Sequence, residues 1–160
     1  MSTGYSGNSL VWRTQVIADY QFGGLCGTML FPDGCEFMLS TTGRIRQILY
    51  EKKRLATIRA QDGRLTLGIE GARRLQACLP PPGYRVVVAE DVAEFIAQGK
   101  NVFAKHVVAA DVGIRAGDEV LVTADGDRLL ACGTAILSGA EMLAFNYGGA
   151  VKVRQGSELR

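Results

Sequence analysis

The sequence predicts an α+β protein of two domains, in which an N-terminal α+β domain with an antiparallel sheet precedes a small β-barrel. A proline run, Leu79-Pro-Pro-Pro-Gly83, divides the 160 residues almost in half, and such a run continues neither a helix nor a central strand. A helical pattern followed by several short strands precedes this run, and a second strand-rich segment follows it. We therefore expect one domain at residues 1–82 and another at residues 83–160.

The first half begins with a helix predicted over residues 11–22, whose apolar face is formed by Trp12, Val16, Ile17 and Tyr20. Gly23-Gly24 ends this helix. Strands are predicted at 35–39, 44–50, 55–60 and 64–69, and a short helix at 71–79. Between the last two strands, Asp62-Gly63 indicates a hairpin turn because these residues tolerate positive φ angles.

The second half is rich in short strands, which are predicted at 84–88, 101–108, 119–123, 128–135 and 150–153. One helix is predicted over residues 91–98, with Asp91 as its N-cap and Glu94 completing a capping box. Gly99 ends this helix, and turns are indicated at Gly117 and Gly126. Short strands with a single helix favour a small barrel that closes on itself.

Composition excludes several classes of protein. The 18 Lys+Arg and 16 Asp+Glu residues give a formal charge of +2, so any nucleic-acid surface must be a local basic patch. The N-terminal residues lack the apolar run of a signal peptide, and no segment is apolar enough to span a bilayer. We therefore expect a soluble cytoplasmic protein without a membrane partner.

The four cysteines are scattered and lack the two- to four-residue spacing of a zinc site. We expect reduced, mostly buried thiols, with a Cys26–Cys35 pair across a hairpin as the less favoured alternative. His106 is the only histidine, and a surface or strand position is expected ahead of a direct ligand contact. No metal site and no cofactor are predicted.

Several segments of the second half resemble the PUA domain, the RNA-binding module of pseudouridine synthases and archaeosine tRNA-guanine transglycosylase. The resemblance runs from about residue 85 to residue 154 and rests on six segments in the family's order: Gly99–Lys105, Ala110-Asp111, Ile114–Val122, Leu130–Gly133, Glu141-Met142 and Gly149–Arg154. Residues 12–79 resemble, more weakly, the domain that precedes PUA in the archaeal transglycosylase. The resemblance implies a C-terminal PUA-type β-pseudobarrel.

The same resemblance implies a function and a partner. In this family the pseudobarrel holds the acceptor stem and 3′ end of tRNA, so tRNA is the implied ligand and an archaeal source is implied. Nothing in the chain matches the nucleophilic aspartate or the zinc site of the catalytic barrel. The implied arrangement is thus a non-catalytic, free-standing or split RNA-binding arm, with a separate catalytic transglycosylase subunit as a candidate partner.

The loop after the predicted helix is the first candidate RNA site. Its candidate residues are Gly99, Lys100, Asn101, Val102, Phe103, Lys105 and His106. Glycine permits a sharp turn and close approach of a ligand, lysines neutralise phosphates, and an asparagine amide can bond a base edge or a sugar. The alternative is an ordinary helix end followed by a surface strand, and the PUA resemblance favours RNA contact.

The last predicted strand is the second candidate. Lys152 and Arg154 share one face of it, and Val151 and Val153 occupy the core-facing side. Two cations at this spacing can follow a phosphate backbone. An ordinary solvent-facing edge strand, protected by charge against aggregation, explains the same pattern nearly as well. The resemblance implies that this strand lies beside the loop at Gly99.

Other charged residues have simpler interpretations. Asp111 and Asp118 are expected to bond nearby backbone amides in turns, and Met142 and Phe145 are expected to pack in the core. Basic residues of the first half, including a Lys52–Arg54 turn, form either a second RNA surface or a solvated sheet face, which is the default.

Binding of tRNA, alone or as a subunit of a modification system, is the leading hypothesis. The alternative is a ribosome-assembly protein whose PUA domain binds rRNA. An enzyme would require paired carboxylates or an activated nucleophile, and neither pattern is present in the sequence.

Overall fold

The computed structural model describes the backbone of residues 2–158 and the side chains of residues 9–158. It forms two compact units, which divide between Leu79 and Pro80. We call the N-terminal unit, which ends at Leu79, unit 1 and the C-terminal unit, which begins at Pro80, unit 2. Within the described residues, no helix is long and apolar enough to cross a membrane.

Unit 1 is a four-stranded antiparallel sheet with helices, as predicted. Its elements are α1 (Ser2–Phe22), α2 (Gly27–Leu30), β1 (Glu36–Leu39), β2 (Ile45–Tyr50), β3 (Lys53–Ile58), β4 (Leu65–Leu67) and α3 (Ile69–Cys78). The strand order is β1-β2-β3-β4. Gly63, with a φ angle of 72°, makes the predicted turn before β4. Lys53 and Arg54 were predicted in a turn, but they begin β3, because the tight turn is made one residue earlier by Glu51 and Lys52.

Helix α1 buries a different face from the predicted one. Its buried side chains are those of Val11, Thr14, Ala18 and Phe22. By contrast, Trp12 is 64% exposed and Tyr20 is 93% exposed. Small residues let a helix approach its neighbours closely. The buried Thr14 hydroxyl still makes a hydrogen bond, because it donates to the Val11 carbonyl at 2.8 Å. The positions of the largest apolar residues therefore did not predict which face of the helix is buried.

The cysteine prediction was wrong for two of the four residues. Cys26 and Cys78 form a disulfide with a Cα–Cα distance of 5.8 Å, which joins the start of α2 to the end of α3. Cys35 and Cys132 are free thiols, and burial raises the pKa of Cys35 to about 11. Cys35 therefore stays protonated and unreactive at neutral pH.

Reduction of this disulfide is expected to destabilise unit 1. The bond closes a sequence separation of 52 residues, for which the chain-entropy model gives about 4 kcal/mol. Urea unfolding of the full chain, followed by Trp12 fluorescence and circular dichroism, should show the loss for Cys26→Ser and for the reduced protein. Cys35→Ser is the matched control, and its free energy of unfolding should lie within about 0.5 kcal/mol of that of the parent. Equal midpoints for all variants would contradict a stabilising role for the bond.

Unit 2 contains a six-stranded mixed sheet. Its elements are β5 (Arg85–Val88), a 3₁₀ turn (Glu90–Val92), α4 (Ala93–Ala97), β6 (Val102–Phe103), a 3₁₀ turn (Ala104–His106), β7 (Val107–Ala110), β8 (Glu119–Ala124), a 3₁₀ turn (Asp125–Asp127), β9 (Arg128–Ala135), α5 (Gly139–Ala144) and β10 (Gly149–Gly156). The strand order is β6-β10-β9-β8-β5-β7, with β5 and β8 parallel and the other pairs antiparallel.

The sheet of unit 2 is nearly closed. Its two edge strands, β6 and β7, are consecutive in sequence and are joined only by the 3₁₀ turn at Ala104–His106. Because three residues connect the edges, the sheet must curve back on itself. The predicted continuous strand at 101–108 is thus split in two. The result is the barrel-like sheet expected of a PUA-type pseudobarrel.

Local signals in unit 2 were partly correct. The predicted capping box at Asp91 and Glu94 is absent, because α4 starts after a 3₁₀ turn and its N-cap, Val92, has no side-chain bond. A capping box occurs instead on α5, where the Ser138 hydroxyl accepts from Glu141 N and the Glu141 carboxylate accepts from Ser138 N. This cap fixes the start of the helix that precedes β10.

The two turn aspartates bond backbone amides, as predicted. Asp111 accepts from Tyr84 N at 2.8 Å and from Gly113 N at 2.9 Å, and Asp118 accepts from Arg115 N at 2.9 Å. These bonds hold loops of the barrel in place.

We propose that unit 2 folds alone, since the contacts of its buried Arg85 lie within the unit. Arg85, which is 1% exposed, donates to both oxygens of Asp127 at 3.0–3.1 Å and to the Gly83 carbonyl at 3.0 Å. A fragment of residues 80–160, which keeps Gly83, should therefore unfold in one cooperative transition. Thermal circular dichroism tests this. A fragment that melts without a transition would contradict the boundary.

Candidate RNA-binding surface

The loop after α4 runs beside strand β10. Val102 pairs with Val151, and Phe103 pairs with Gly149. The Ala104 amide also donates to the Gly148 carbonyl at 2.9 Å. Residues 101–104 thus lie antiparallel to residues 148–153, and the two candidate segments form one surface.

Glycines allow this close approach. Gly99 has a φ angle of 105°, so the chain turns sharply where α4 ends. At the far end of β10, a Cβ on Gly156 would lie 2.2 Å from the Ala97 carbonyl oxygen and 2.7 Å from the Gly99 nitrogen. The end of α4 therefore rests directly on β10.

Three lysines are exposed on this surface and have no ion-pair partner among the described side chains: Lys100, Lys105 and Lys152. Lys100 and Lys105 bracket the paired stretch 101–104, which is about 10 Å long at roughly 3.3 Å per residue. Lys152 lies across from it on β10. We call Lys100, Phe103, Lys105 and Lys152 the β6–β10 surface.

Phe103 adds an aromatic ring to this surface. Its side chain is 49% exposed, and its strand partner Gly149 has no side chain to cover it. The next segment carries a second aromatic site, because Phe145 and Tyr147 stack with ring centroids 5.9 Å apart. Tyr147 is 72% exposed and directly precedes Gly148, which is bonded to the loop.

The Phe145–Tyr147 pair was missed by sequence reasoning, which placed Phe145 in the core. Met142 is fully buried, as predicted, but Phe145 is 38% exposed. Helix α5 ends at Ala144, so Phe145 is no longer on the helical face that Met142 shares. The available signal was the position of the aromatics immediately before a glycine pair and a basic strand.

Arg154 occupies a different role from the one assigned to it. Its guanidinium makes a bidentate ion pair with Glu119, which is 4% exposed, and also donates to the Thr134 hydroxyl at 2.9 Å. A buried carboxylate requires such a partner. Arg154 thus compensates a buried charge across β10, β9 and β8, although it lies on the same strand as Lys152.

The side chains of Asn101 and Val102 also have structural roles. The Asn101 side-chain oxygen accepts from Val153 N at 2.9 Å, which fastens the loop to β10 and leaves only the amide nitrogen to donate. The Val102 side chain is fully buried in the barrel core, so it is not available to a ligand. Its assignment as an RNA contact is corrected to a core position.

His106 is half-buried at the end of the 3₁₀ turn between β6 and β7. Its carbonyl accepts from Ala89 N at 3.0 Å, which ties the turn to the end of β5. The structure thus gives His106 a backbone role in closing the barrel.

The chemistry available on the β6–β10 surface is that of ligand binding. Ammonium groups neutralise phosphates, and exposed aromatic rings stack unpaired bases. Among the side chains that the structure describes, no three His, Cys, Asp or Glu residues are grouped to hold a metal ion.

Two family models match the chain and together cover most of it. The model described as the patch-forming domain C2 of tRNA-guanine transglycosylase matches residues 13–82, and the PUA domain model matches residues 84–156.

Curated relatives match over nearly the whole chain. The tRNA-guanine(15) transglycosylase of Pyrococcus abyssi is 54% identical over 140 residues, which are 88% of this chain and 24% of the relative. The enzyme of the same name from Methanothermobacter thermautotrophicus is 46% identical over 145 residues, which are 90% of this chain and 22% of the relative. The chain thus spans about a quarter of the length of these enzymes, in their C-terminal region.

Solved structures with both units are also similar. A hypothetical protein from Pyrococcus horikoshii superposes with a TM-score of 0.72 at 26% identity, over 94% of this chain and 91% of that one. A conserved PUA domain protein from Thermoplasma acidophilum has a TM-score of 0.66 at 19% identity, which supports the fold alone. The chain therefore contains a C2 domain of the tRNA-guanine transglycosylase type at residues 13–82, followed by a PUA domain at residues 84–156.

Proposed function

We propose that this chain is a non-catalytic RNA-binding protein and that it binds tRNA through the β6–β10 surface. The observation that carries the proposal is the pairing of β6 with β10, which sets Lys100, Lys105 and Lys152 around an exposed Phe103. Lysines without ion-pair partners can release counterions on meeting phosphates, so they contribute directly to affinity.

Within this proposal, the parts of tRNA that are bound are its acceptor stem and 3′ end. The stem offers a phosphate backbone to the lysines, and the single-stranded 3′ end offers unpaired bases to the exposed rings. The names of the curated relatives support tRNA as the RNA, since each is called a tRNA-guanine(15) transglycosylase.

We further propose that any base exchange takes place on a separate catalytic transglycosylase subunit, to which this chain presents tRNA. The match to a C2 and a PUA domain covers about a quarter of the enzyme relatives. Within the described side chains, no three His, Cys, Asp or Glu residues are grouped so that they could hold a catalytic metal ion.

A role in rRNA binding is the second candidate. It requires no catalytic partner, and the similar protein from Pyrococcus horikoshii shows that these two units can make up nearly a whole chain, 91% in that case. A protein of this size can bind RNA without any modifying enzyme.

Binding measurements with three RNAs separate these functions. Full-length tRNA, the same tRNA without its 3′-terminal CCA, and an rRNA helix would be titrated with the full chain by fluorescence anisotropy. We expect tRNA to bind about tenfold more tightly than the truncated form, because stacking of one or two terminal bases contributes about 1–3 kcal/mol each. Equal binding of both tRNAs would contradict recognition of the 3′ end, and tighter binding of rRNA would favour the second candidate.

A further inference from the structure

Unit 1 contains a groove that the β6–β10 surface does not involve. It has a volume of about 710 Å³ and lies between α1, the β1–β2 turn, the start of β2, the end of β3 and the β3–β4 turn. Three isoleucines from three different elements line it: Ile17, Ile45 and Ile58. Its size is that of a typical small-ligand site.

Four arginines also line this groove. Arg13, Arg44 and Arg46 are exposed, and their guanidinium groups have no hydrogen-bond or ion-pair partner among the described side chains. Arg59 is paired with Asp62 in the β3–β4 turn. Among the described residues, no carboxylate lines the groove, which therefore presents three uncompensated positive charges around an apolar surface.

Two turns that border the groove, one of which carries Arg44, are held by hydrogen bonds. In the β1–β2 turn, the Ser40 hydroxyl accepts from the Thr42 and Arg44 amides at 3.3 and 3.1 Å. In the β3–β4 turn, Asp62 accepts from Arg64 N at 3.0 Å. The backbone of these turns therefore loses little conformational entropy when a ligand enters the groove.

We propose that this groove binds a single-stranded RNA segment, with a base against the isoleucines and phosphates on Arg13, Arg44 and Arg46. Planar guanidinium groups both bind phosphate in a bidentate manner and stack on bases, whereas the isoleucines accept the apolar face of a base. A duplex does not enter such a groove, because its bases are already stacked and paired. The proposal rests on the proposed function only in that RNA is the ligand, since the groove lies in the other unit.

The test uses the full chain with Arg13, Arg44 and Arg46 each replaced by glutamate. The matched control replaces Lys52, Lys53 and Arg54 by glutamate, which changes the charge of unit 1 equally at exposed residues that do not line the groove. The probes are a short oligouridine and an RNA duplex of the same length. Circular dichroism confirms that both variants fold.

We expect the groove variant to bind oligouridine at least about tenfold more weakly than the control. The slope of its log affinity against log salt concentration should become less steep by roughly 2, because three phosphate contacts are lost and each contributes about 0.7 on a single strand. A variant with lysine at the three positions should keep the slope and lose part of the affinity, because lysine retains charge without bidentate geometry or stacking.

The outcomes separate the two proposals. If the groove variant and the control bind oligouridine equally, the groove proposal is overturned, whereas the β6–β10 surface is tested by its own variants with tRNA. If variants of the β6–β10 surface bind tRNA normally and the groove variant does not, the groove proposal is supported and the β6–β10 site is refuted. Equal loss of duplex and oligouridine binding, or tighter binding of a polyglutamate peptide than of oligouridine, would also overturn the single-strand proposal.

Discussion

Replacement of Lys100, Lys105 and Lys152 by glutamate is expected to lower the affinity for tRNA at least about a hundredfold at low salt. Each lysine is exposed and has no ion-pair partner in the described structure, so its charge is available to RNA. Three lost phosphate contacts should flatten the log-affinity against log-salt slope by roughly 2 to 3, at about 0.7–0.9 per contact. Reversed charges add repulsion, so the loss exceeds that of neutral substitutions.

The matched control for this experiment is again the Lys52, Lys53 and Arg54 glutamate variant. It has the same change in net charge but alters β3 and the turn before it in unit 1. If the control weakens tRNA binding as much as the lysine variant does, affinity reflects overall charge rather than a defined site. An unchanged slope in a folded lysine variant would refute the β6–β10 site.

Phe103 gives this site a test that does not depend on charge. Phe103→Ala should weaken the free energy of binding to intact tRNA by about 1–3 kcal/mol. The slope of log affinity against log salt concentration should stay unchanged, because stacking releases no counterions. The same substitution should have little effect on tRNA without CCA if the ring stacks a terminal base. Anisotropy titrations of both RNAs measure the difference.

Arg154→Ala is expected to destabilise unit 2 by about 3 kcal/mol, because it leaves the buried Glu119 carboxylate without its partner. The neighbouring Lys152→Ala is the matched control. Lys152 is exposed, and its loss should cost less than about 0.5 kcal/mol. Hydrogen exchange of amides in β8, β9 and β10, measured in the full chain, reports this difference.

A double variant separates the charge effect from lost packing. Replacing both Glu119 and Arg154 by uncharged residues, as Glu119→Gln with Arg154→Met, should recover part of the stability lost by Arg154→Met alone, because no unpaired charge stays buried. Absence of any recovery would mean that the pair contributes through packing. Exchange rates that are unchanged by Arg154→Ala would return Arg154 to the candidate RNA contacts.

This distinction decides how variants of β10 should be interpreted. A charge reversal at Arg154 would weaken RNA binding by disturbing the barrel, even if the side chain never touches RNA. We therefore leave it out of the lysine variant, although Arg154 lies on the exposed face of the same strand. Loss of binding can then be attributed to the three lysines.

Local sequence signals determined much of the fold on their own. Strand β9 has the predicted bounds, and the turns at Gly63, Gly117 and Gly126 all have positive φ angles. The order of the PUA motifs indicated the barrel and the loop beside its last strand. Such features depend on a few neighbouring residues, whose backbone preferences are set by their own side chains.

Only the tertiary structure decided which side chains meet. The partner of Arg154 is 35 residues away in sequence, and the partner of Cys26 is 52 residues away. The arginines of the groove come from α1, the β1–β2 turn, β2 and the β3–β4 turn, and α1 buries a face that contains neither Trp12 nor Tyr20. These outcomes depend on the shape of neighbouring elements, because burial and pairing are determined by packing between segments that no local pattern relates.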